Sequence, residues 1–548
     1  MSMTARPARL PFGTRFSLVV TVLFLVASWF GITTASAVGS LGPHRALYEV
    51  TATPTGVVDL GPLGTLEVDS PLPLRLGVRV TVQEIPAEST AVGAPASLER
   101  LSGDLDRYVQ FFTSPVTFLQ DAALDLVRSA FVRSMVALAV LGAVVGGIYA
   151  LVGAARRREL AAAAVRRRRP VLAGALALTV LGVGFLVNPP LDLVTPGSRP
   201  ASAIFEGTPL EGARITGRLA GLVDTYGAMA LDAYRENEEF YAGAEESLRM
   251  AWQQREEQSE GWQDLLLVSG RFTPLQRAIL EEPDSLVTAV VVSDLHCNVG
   301  MAPVIQAAVE LSGAEVVLDL GDTSVNGTQV ERYCVTAFMN AFRAGGAGDV
   351  VFAGGNHDSE LTADQVRAAG GIVLDGQVIT VRGIDMLGDA DPLATRIGQG
   401  TSAVRGETPR EAGERLAQVA CEREQPVPLL LVHTPFVGDA TLERGCALTQ
   451  LSGHMHTWRG PQRFAQGVRL VSGSTAGAVS GQPTVGPLGG TATIGVLRIS
   501  PEHGLVVDYQ KITVEPDGTA EVGWRMPFPV PAGMLPPPVD ENLPPGAV

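Results

Sequence analysis

Five apolar, β-rich runs in the second half of the chain are each followed at once by a short polar cluster. The runs are VTAVVVS (287–293), VVLDL (316–320), VVFA (350–353), PLLLV (428–432) and LTQLS (448–452). Short runs of this kind, bounded by Gly and polar residues, predict buried strands. Helix-compatible stretches separate them, so an α/β layered domain with both sheet faces covered is expected.

The polar clusters contain five of the seven histidines. They read Asp294-Leu-His296, Gly321-Asp322, Gly355-Asn356-His357-Asp358, His433 and Gly453-His454-Met-His456. Ligands of open α/β sheets bind beyond the carboxyl ends of the strands, where every cluster is expected to lie. Since residues i and i+2 of a strand point the same way, each Asp/His or His/His pair is expected to face one ion.

The residue types favour transition metals. Asp322 is a lone acid whose two oxygens can bridge two cations, and Asn356 offers a neutral amide oxygen. Mixed nitrogen and oxygen ligation suits Mn, Fe, Zn or Ni better than Ca or an all-oxygen Mg site. Two divalent or trivalent metal ions are therefore predicted.

Together the motifs DLH, GD, GNHD, H and GHMH resemble the calcineurin-like metallophosphoesterase family, here in a membrane-anchored bacterial type, over roughly residues 287–500. The resemblance implies a four-layer αββα sandwich. An arginine that follows the GD pair in protein serine/threonine phosphatases is missing here, so the pattern is nearer to bacterial phosphodiesterases and small phosphoesterases.

The resemblance also implies a role for each residue. Asp294, His296, Asp322 and His456 would hold one metal, and Asp322, Asn356, His433 and His454 the other. His357 would stabilise charge on the phosphate or protonate the leaving oxygen, with Asp358 orienting it. A metal-bridging hydroxide would attack phosphorus in line.

Each of four positions near the motifs could have either a role in the site or a purely structural role. Asp389 and Asp391 could line the pocket or form a turn. Ser474 could approach the phosphate or form a turn, and Trp458 could wall the pocket or pack.

The function expected from these residues is hydrolysis of phosphomonoesters or phosphodiesters in small molecules, nucleotides, or lipid or envelope phosphates. The alternative is a non-catalytic scaffold or sensor at the membrane. The formal charge of −16 disfavours a nucleic-acid partner, because an acidic surface repels polyphosphate.

Three apolar segments, 16–37, 135–153 and 171–187, predict membrane spans. Seven arginines lie between the last two, which makes that loop cytoplasmic by the positive-inside rule. The chain is thus expected to be a multi-pass cell-membrane protein with an extracytoplasmic catalytic domain. Segment 16–37 also fits a cleaved signal peptide.

All four cysteines fall in the part expected outside, where disulfides persist. Four cysteines allow three pairings. Cys421 and Cys446 each precede a predicted strand, and the pairing Cys421 with Cys446 and Cys297 with Cys334 is our hypothesis.

The predicted organisation runs from a cytoplasmic tail to a Pro-rich end. Its parts are the tail (1–15), the anchor or signal peptide (16–37), a small β-rich outer module (38–134), a transmembrane helix (135–153), an Arg-rich cytoplasmic loop (154–170), a second such helix (171–187), a helical linker or accessory region (188–285), the metallophosphoesterase domain (286–526) and the tail (527–548).

Overall fold

The computed structural model describes residues 12–41, 44–61, 64–70, 72–83, 115–159, 199–200, 212–217, 219–396, 399–479, 484 and 486–534. The chain divides into two compact units. The first comprises residues 1–85 and 118–229, and the second comprises residues 86–117 and 230–548.

The described α-helices are α1 (Phe12–Thr33), α2 (Pro115–Leu151), α3 (Leu219–Val268), α4 (Pro274–Leu280), α5 (Ala302–Ser312), α6 (Arg332–Ala344), α7 (Glu360–Ala368), α8 (Pro409–Cys421) and α9 (Asp439–Glu443). Short 3-10 turns lie at Pro73–Arg75, Pro283–Ser285, Val299–Met301, Gln329–Glu331, Pro435–Gly438 and Ala532–Met534.

The strands of the first unit are β1 (Ser36–Leu41), β2 (His44–Thr51), β3 (Thr55–Asp59), β4 (Thr65–Asp69), β5 (Gly77–Val82), β6 (Arg199–Pro200) and β7 (Arg214–Ile215). Those of the second are β8 (Val287–Val292), β9 (Val316–Asp319), β10 (Asp349–Phe352), β11 (Ile372–Val373), β12 (Ile379–Val381), β13 (Ile384–Gly388), β14 (Leu393–Arg396), β15 (Gly400–Ala403), β16 (Val427–Leu431), β17 (Ala447–Ser452), β18 (Arg459–Phe464), β19 (Gly467–Val471), β20 (Ala492–Ser500), β21 (Leu505–Val514), β22 (Ala520–Val522) and β23 (Met526–Pro527).

The first unit contains the predicted β-rich module as one sheet in the order β1-β2-β5-β3-β4-β7-β6. Tyr48, Ala46 and Val80 form its buried core with Leu126 of α2. Two features were not expected from the sequence. The sheet already begins at Ser36, inside the predicted anchor, and two short strands from beyond residue 198 complete it.

Among the described residues, only one helix is long and apolar enough to cross a membrane, as judged by its length and composition alone. This stretch, Ala122–Leu151, has a mean hydropathy of 2.1 and includes most of the second predicted span. The apolar part of α1, Val19–Thr33, is shorter, and α1 ends at Thr33 rather than at Ala37. The third predicted span, 171–187, lies outside the described residues.

The second unit is a sandwich of two mixed sheets. The first sandwich sheet has the order β11-β10-β9-β8-β20-β21-β22, with β23 paired to β21, and its strands β8 to β11 are parallel. The second sandwich sheet has the order β12-β13-β16-β17-β19-β18, and β13, β16, β17 and β19 are parallel. The separate hairpin β14–β15 completes the described strands.

Apolar side chains from both sheets share one buried cluster, because Val291 and Leu318 of the first sheet pack with Leu429 and Leu451 of the second. On the outer face of the second sheet, Leu430 packs with Leu416 of α8 and Leu442 of α9. Helix α5 contacts β8 and β20 of the first sheet, and α6 packs on α5. The predicted α/β class is confirmed, with helices packed on both sheets.

Helix α3 lies in the predicted helical linker or accessory region, and one stripe of it is buried in the second unit. Tyr241, Ala244, Leu248 and Trp252 are all buried. Their spacing of three and four residues places them on one helix face.

Both disulfides predicted from the sequence are present. Cys297 is bonded to Cys334, and Cys421 is bonded to Cys446.

Candidate metal centre

The polar clusters lie at the carboxyl ends of β8, β9, β10, β16 and β17, as expected. Strands β8, β9 and β10 are parallel neighbours, and so are β16 and β17. Hydrogen bonds join their ends, since the Asp294 carboxylate accepts from the backbone N–H of His454 at 3.0 Å. In this way one edge of the sandwich brings together residues that are up to 162 positions apart, from Asp294 to His456.

The prediction that Asp294 and His296, and likewise His454 and His456, alternate along a strand is wrong. Strand β8 ends at Val292 and β17 ends at Ser452, so all four paired residues lie in loops. Their backbone is left-handed, with φ of 53° at Asp294, 42° at His296, 70° at His454 and 51° at His456, and Asp322 has φ of 56°.

Left-handed backbone is uncommon for residues with a Cβ and costs free energy. Such residues persist only where the surroundings hold them, and they cluster at functional sites. Here tight turns, not alternation along a strand, aim the side chains at a common point.

Asp294, His296 and His456 form one candidate metal group, whose ligand atoms all lie within 4.8 Å of one another. The Nε2 atoms of His296 and His456 are 3.1 Å apart, and His456 Nε2 is 3.4 Å from Asp294 Oδ1. The hydroxyl of Ser293 donates to Asp294 Oδ2 at 2.7 Å, which leaves Oδ1 toward the histidines.

A second group comprises Asp322, His433 and His454. His433 donates from Nδ1 to the Leu320 carbonyl at 2.8 Å, which fixes its ring. Its Nε2 is buried without a hydrogen-bond partner, although it lies 3.1 Å from Asp322 Oδ2. The oxygen of Asn356 lies 2.8 Å from His454 Nδ1 at the same place.

These residues fit a bound metal. His433 Nε2 is buried beside Asp322 Oδ2 without a hydrogen bond, and an ion bound between them would take the lone pair of the nitrogen. The second ring nitrogen of His433 is held by a carbonyl, which is the usual arrangement of a metal-binding histidine. The mixture of imidazole, carboxylate and amide oxygen favours transition metals.

The charged side chains in the site shift one another's pKa values. Burial alone would raise the pKa of Asp322, but neighbouring histidines, above all His433, lower it below the usual range. Burial lowers the pKa of His296 to about 4. Burial also works against protonation of His433, yet the charge of Asp322 raises its pKa well above the ordinary value. The pKa of Asp294 is lowered as well, so both candidate carboxylate ligands favour the ionised form that metal binding requires.

His357 lies at the same edge, half-buried, with its ring 5.0 Å from that of His296. A ring nitrogen of His357 also lies within 4.8 Å of ligand atoms of His296 and Asp322. The side chain of Asp358, however, does not contact the imidazole as expected.

The Asp358 carboxylate instead accepts from the backbone N–H groups of Asp322, Ser324 and Gly355 at 2.8–2.9 Å, and from the Ser324 hydroxyl at 2.7 Å. Burial raises the pKa of Asp358, and the nearby charge of Asp322 adds to that shift. Asp358 therefore ties the loop after β9 to the loop after β10.

The hairpin β14–β15 holds Asn356. The side-chain amide nitrogen of Asn356 donates to the Thr395 hydroxyl at 2.9 Å, so the amide oxygen of Asn356 faces His454. The guanidinium of Arg396 donates to the carbonyls of Asn356, His357 and Asp358 at 2.6–3.0 Å. Sequence reasoning missed Thr395 and Arg396, because no motif marks them and only the folded hairpin brings them to the loop.

The other candidates mostly have structural roles. Asp389 is buried and paired with Arg405 and Arg415, and Asp391 accepts from the Leu393 N–H as in a turn. Ser474 donates to the Asp294 carbonyl at 2.7 Å and so supports the ligand loop from behind. Trp458 packs against the sandwich core.

No protein-family model and no curated protein matches the chain. Solved structures that are similar to it include a novel archaeal phosphodiesterase (16% identity, covering 42% of this chain and 100% of the other, TM-score 0.25). They also include a 5'-nucleotidase precursor from Thermus thermophilus (15%, 44% and 54%, TM-score 0.26) and a dimetal phosphatase from Danio rerio (12%, 44% and 99%, TM-score 0.29). Likenesses this distant assign no chemistry, which follows instead from the site's own geometry.

Proposed function

We propose that the chain is a metal-dependent phosphoric ester hydrolase with a dinuclear centre. The main support for this proposal is that two candidate ligand groups lie together at one edge of the sandwich. Between them, His433 Nε2 is buried beside the Asp322 carboxylate and makes no hydrogen bond. Asp294, His296, Asp322 and His456 would hold one ion. Asp322, Asn356, His433 and His454 would hold the other.

Two bound cations would lower the pKa of water to give a nucleophile near neutral pH and would offset the charge of the phosphate. The chain's own residues set the geometry. Asp322 lies between the two groups and also accepts the His357 backbone N–H at 2.8 Å, so it fixes the loop that carries His357. His357 would donate a proton to the leaving oxygen.

The test is a substrate panel assayed with the purified full chain in detergent, after chelation and reloading with Mn, Fe, Zn or Ni. Aryl phosphate monoesters, aryl diesters and nucleotide diphosphates cover the substrate classes. We expect metal-dependent phosphate release that His456→Asn reduces and that His503→Asn, a histidine change outside the site, leaves unchanged. Inactivity of the metal-loaded chain on every substrate would favour the scaffold instead.

We further propose that the site faces the outside of the cell membrane. Two disulfides in the second unit support this location, because disulfides form and persist in oxidising compartments. Protease added to intact cells is expected to digest the second unit. A reporter fused to the C-terminus that reports from the cytoplasm would exclude this topology.

A further inference from the structure

The loop that follows Asp322 presents a backbone carbonyl to His357. The carbonyl of Val325 lies 2.7 Å from His357 Nδ1. A carbonyl only accepts hydrogen bonds, so Nδ1 carries a proton and Nε2 is the atom left for chemistry.

Glu331 holds the other end of that same peptide unit. Its Oε1 accepts from the N–H of Asn326 at 2.9 Å and from the N–H of Val325 at 3.0 Å. The Val325 carbonyl and the Asn326 N–H belong to one planar trans peptide, in which they point in opposite directions. The carboxylate of Glu331 and the imidazole of His357 therefore bind opposite ends of one rigid group.

The remaining bonds of Glu331 form a capping box. Its Oε2 accepts from the N–H and the hydroxyl of Thr328, both at 2.7 Å. Glu331 is 5% exposed, so these bonds are shielded from water. Ser359 adds a bond from its hydroxyl to the Gly327 carbonyl at 2.6 Å, which ties the loop to the residues that follow His357.

We propose that Glu331 is a positioning residue for His357, acting through the Val325–Asn326 peptide. This inference rests on the proposed phosphoesterase function. The carboxylate fixes and polarises the peptide, and the peptide holds the imidazole with Nε2 available. As the bond from phosphorus to the leaving oxygen breaks, that oxygen takes the Nε2 proton of a His357 ring protonated on both nitrogens, and the imidazole becomes neutral with its remaining proton on Nδ1.

Glu331→Gln tests the proposal because it keeps the shape of the side chain. The new amide N–H groups would face backbone N–H donors and could not accept their hydrogen bonds. Glu411→Gln is a matched control. Glu411 forms the same capping box with Thr408, at the start of α8 and without a bond to the catalytic loops. Both variants are made in the full chain, alone and combined with His357→Ala.

Two phosphate monoesters distinguish a loss of His357 positioning from a general loss of activity. A p-nitrophenolate leaves without needing a proton, whereas an alkoxide needs one. We expect Glu331→Gln to lower kcat for an alkyl phosphate by about tenfold or more, which is part of the roughly 10²–10⁴-fold that a general acid contributes, and to lower kcat for p-nitrophenyl phosphate much less. In the His357→Ala background Glu331→Gln should change neither rate. Hydrogen exchange should quicken at residues 325–328 in Glu331→Gln only.

Equal losses on both esters, or a full additional loss in the His357→Ala background, would overturn the positioning role. Unchanged exchange at residues 325–328 would overturn the contact itself. A wild-type chain that is inactive on both esters and on the diesters and nucleotide diphosphates of the substrate panel would contradict the proposed function, and with it this inference, so the two failures are distinguishable.

Discussion

Asp322 links the two candidate metal groups, because its Oδ2 lies 3.1 Å from Nε2 of His433 and 3.9 Å from Nε2 of His296. A carboxylate oxygen of Asp322 lies within 4.8 Å of ring nitrogens of His296 and His357, and one also lies within 4.8 Å of ring nitrogens of His433 and His454. His456 belongs to one group only. Because Asp322 also accepts the His357 N–H, its loss disturbs the ligands of both ions and the loop of the proton donor.

We therefore predict that Asp322→Asn costs more activity than His456→Asn. Asparagine suits both sites, since it tolerates left-handed backbone better than other residues with a Cβ do. The expected losses in kcat/KM are about 10²-fold for His456→Asn and at least about tenfold more for Asp322→Asn. Steady-state kinetics with saturating metal make the comparison, and equal losses would contradict a bridging role.

A second prediction concerns Asp319, a buried carboxyl in the strand beneath the site. Burial raises its pKa from 3.8 to about 7, although Thr323 and the Gly321 N–H donate to it. Its folded-state pKa lies above the unfolded value. Its stabilising contribution is thus complete below about pH 4 and is lost as the pH rises through about 7.

Asp319→Asn should remove this dependence. In chelator-treated protein, the stability of the wild type relative to Asp319→Asn should fall by up to about 4 kcal/mol between pH 4 and pH 8, at 1.36 kcal/mol per pKa unit. Tm measured across that range gives the comparison. A constant difference between the two proteins would show that Asp319 does not titrate there.

At the scale of elements, hairpin β14–β15 holds the Asn356 loop in place through hydrogen bonds. The Thr395 hydroxyl accepts from Asn356 Nδ2, and the Thr395 N–H donates to the Asn356 carbonyl at 2.7 Å. The amide of Asn356 is thereby fixed with its oxygen toward the metal centre.

Thr395→Val removes the acceptor while keeping the shape. We expect the apparent affinity for the metal to fall by about 10- to 100-fold, as for other groups that orient ligands. Titration of metal binding by calorimetry measures it. Thr380→Val, in the separate hairpin β12–β13, is the control and should bind metal as the wild type does.

The two disulfides differ in what they hold. Cys297 follows His296 directly and has left-handed backbone, so its bond to Cys334 anchors the ligand loop to α6. Cys421 and Cys446 join the end of α8 to the residue before β17, and neither of them adjoins a candidate ligand.

Replacing either pair by serine should cost about 2–4 kcal/mol of stability, but only the Cys297–Cys334 variant should also lose metal affinity. Thermal unfolding and metal titration of the two double variants separate these effects. Metal affinity that is equal in both would show that the Cys297–Cys334 bond does not hold the site.

At the scale of the whole molecule, sequence patterns predicted which segments form the sandwich and where the site lies. Runs such as 287–293 and 428–432 became β8 and β16 nearly residue for residue, because buried strands require continuous apolar sequence. The site followed, since a parallel strand has one carboxyl end and the polar residues come directly after it.

What the sequence did not predict depends on contacts between distant segments. The left-handed turns at Asp294 and His454 follow from tertiary hydrogen bonds, not from local preference. Asp358 binds backbone N–H groups of a loop 34–36 residues away, and no spacing encodes that choice. Strands β6 and β7 are two residues each, too short to leave a pattern.

The most direct test of the central claim is the metal content of the full chain, measured by elemental mass spectrometry together with hydrolysis of an aryl phosphate. We predict that two transition-metal ions bind per chain, that Asp322→Asn binds fewer, and that hydrolysis rises with occupancy and disappears on chelation. A chain that retains no metal, or that hydrolyses the ester equally well after chelation, would contradict the account.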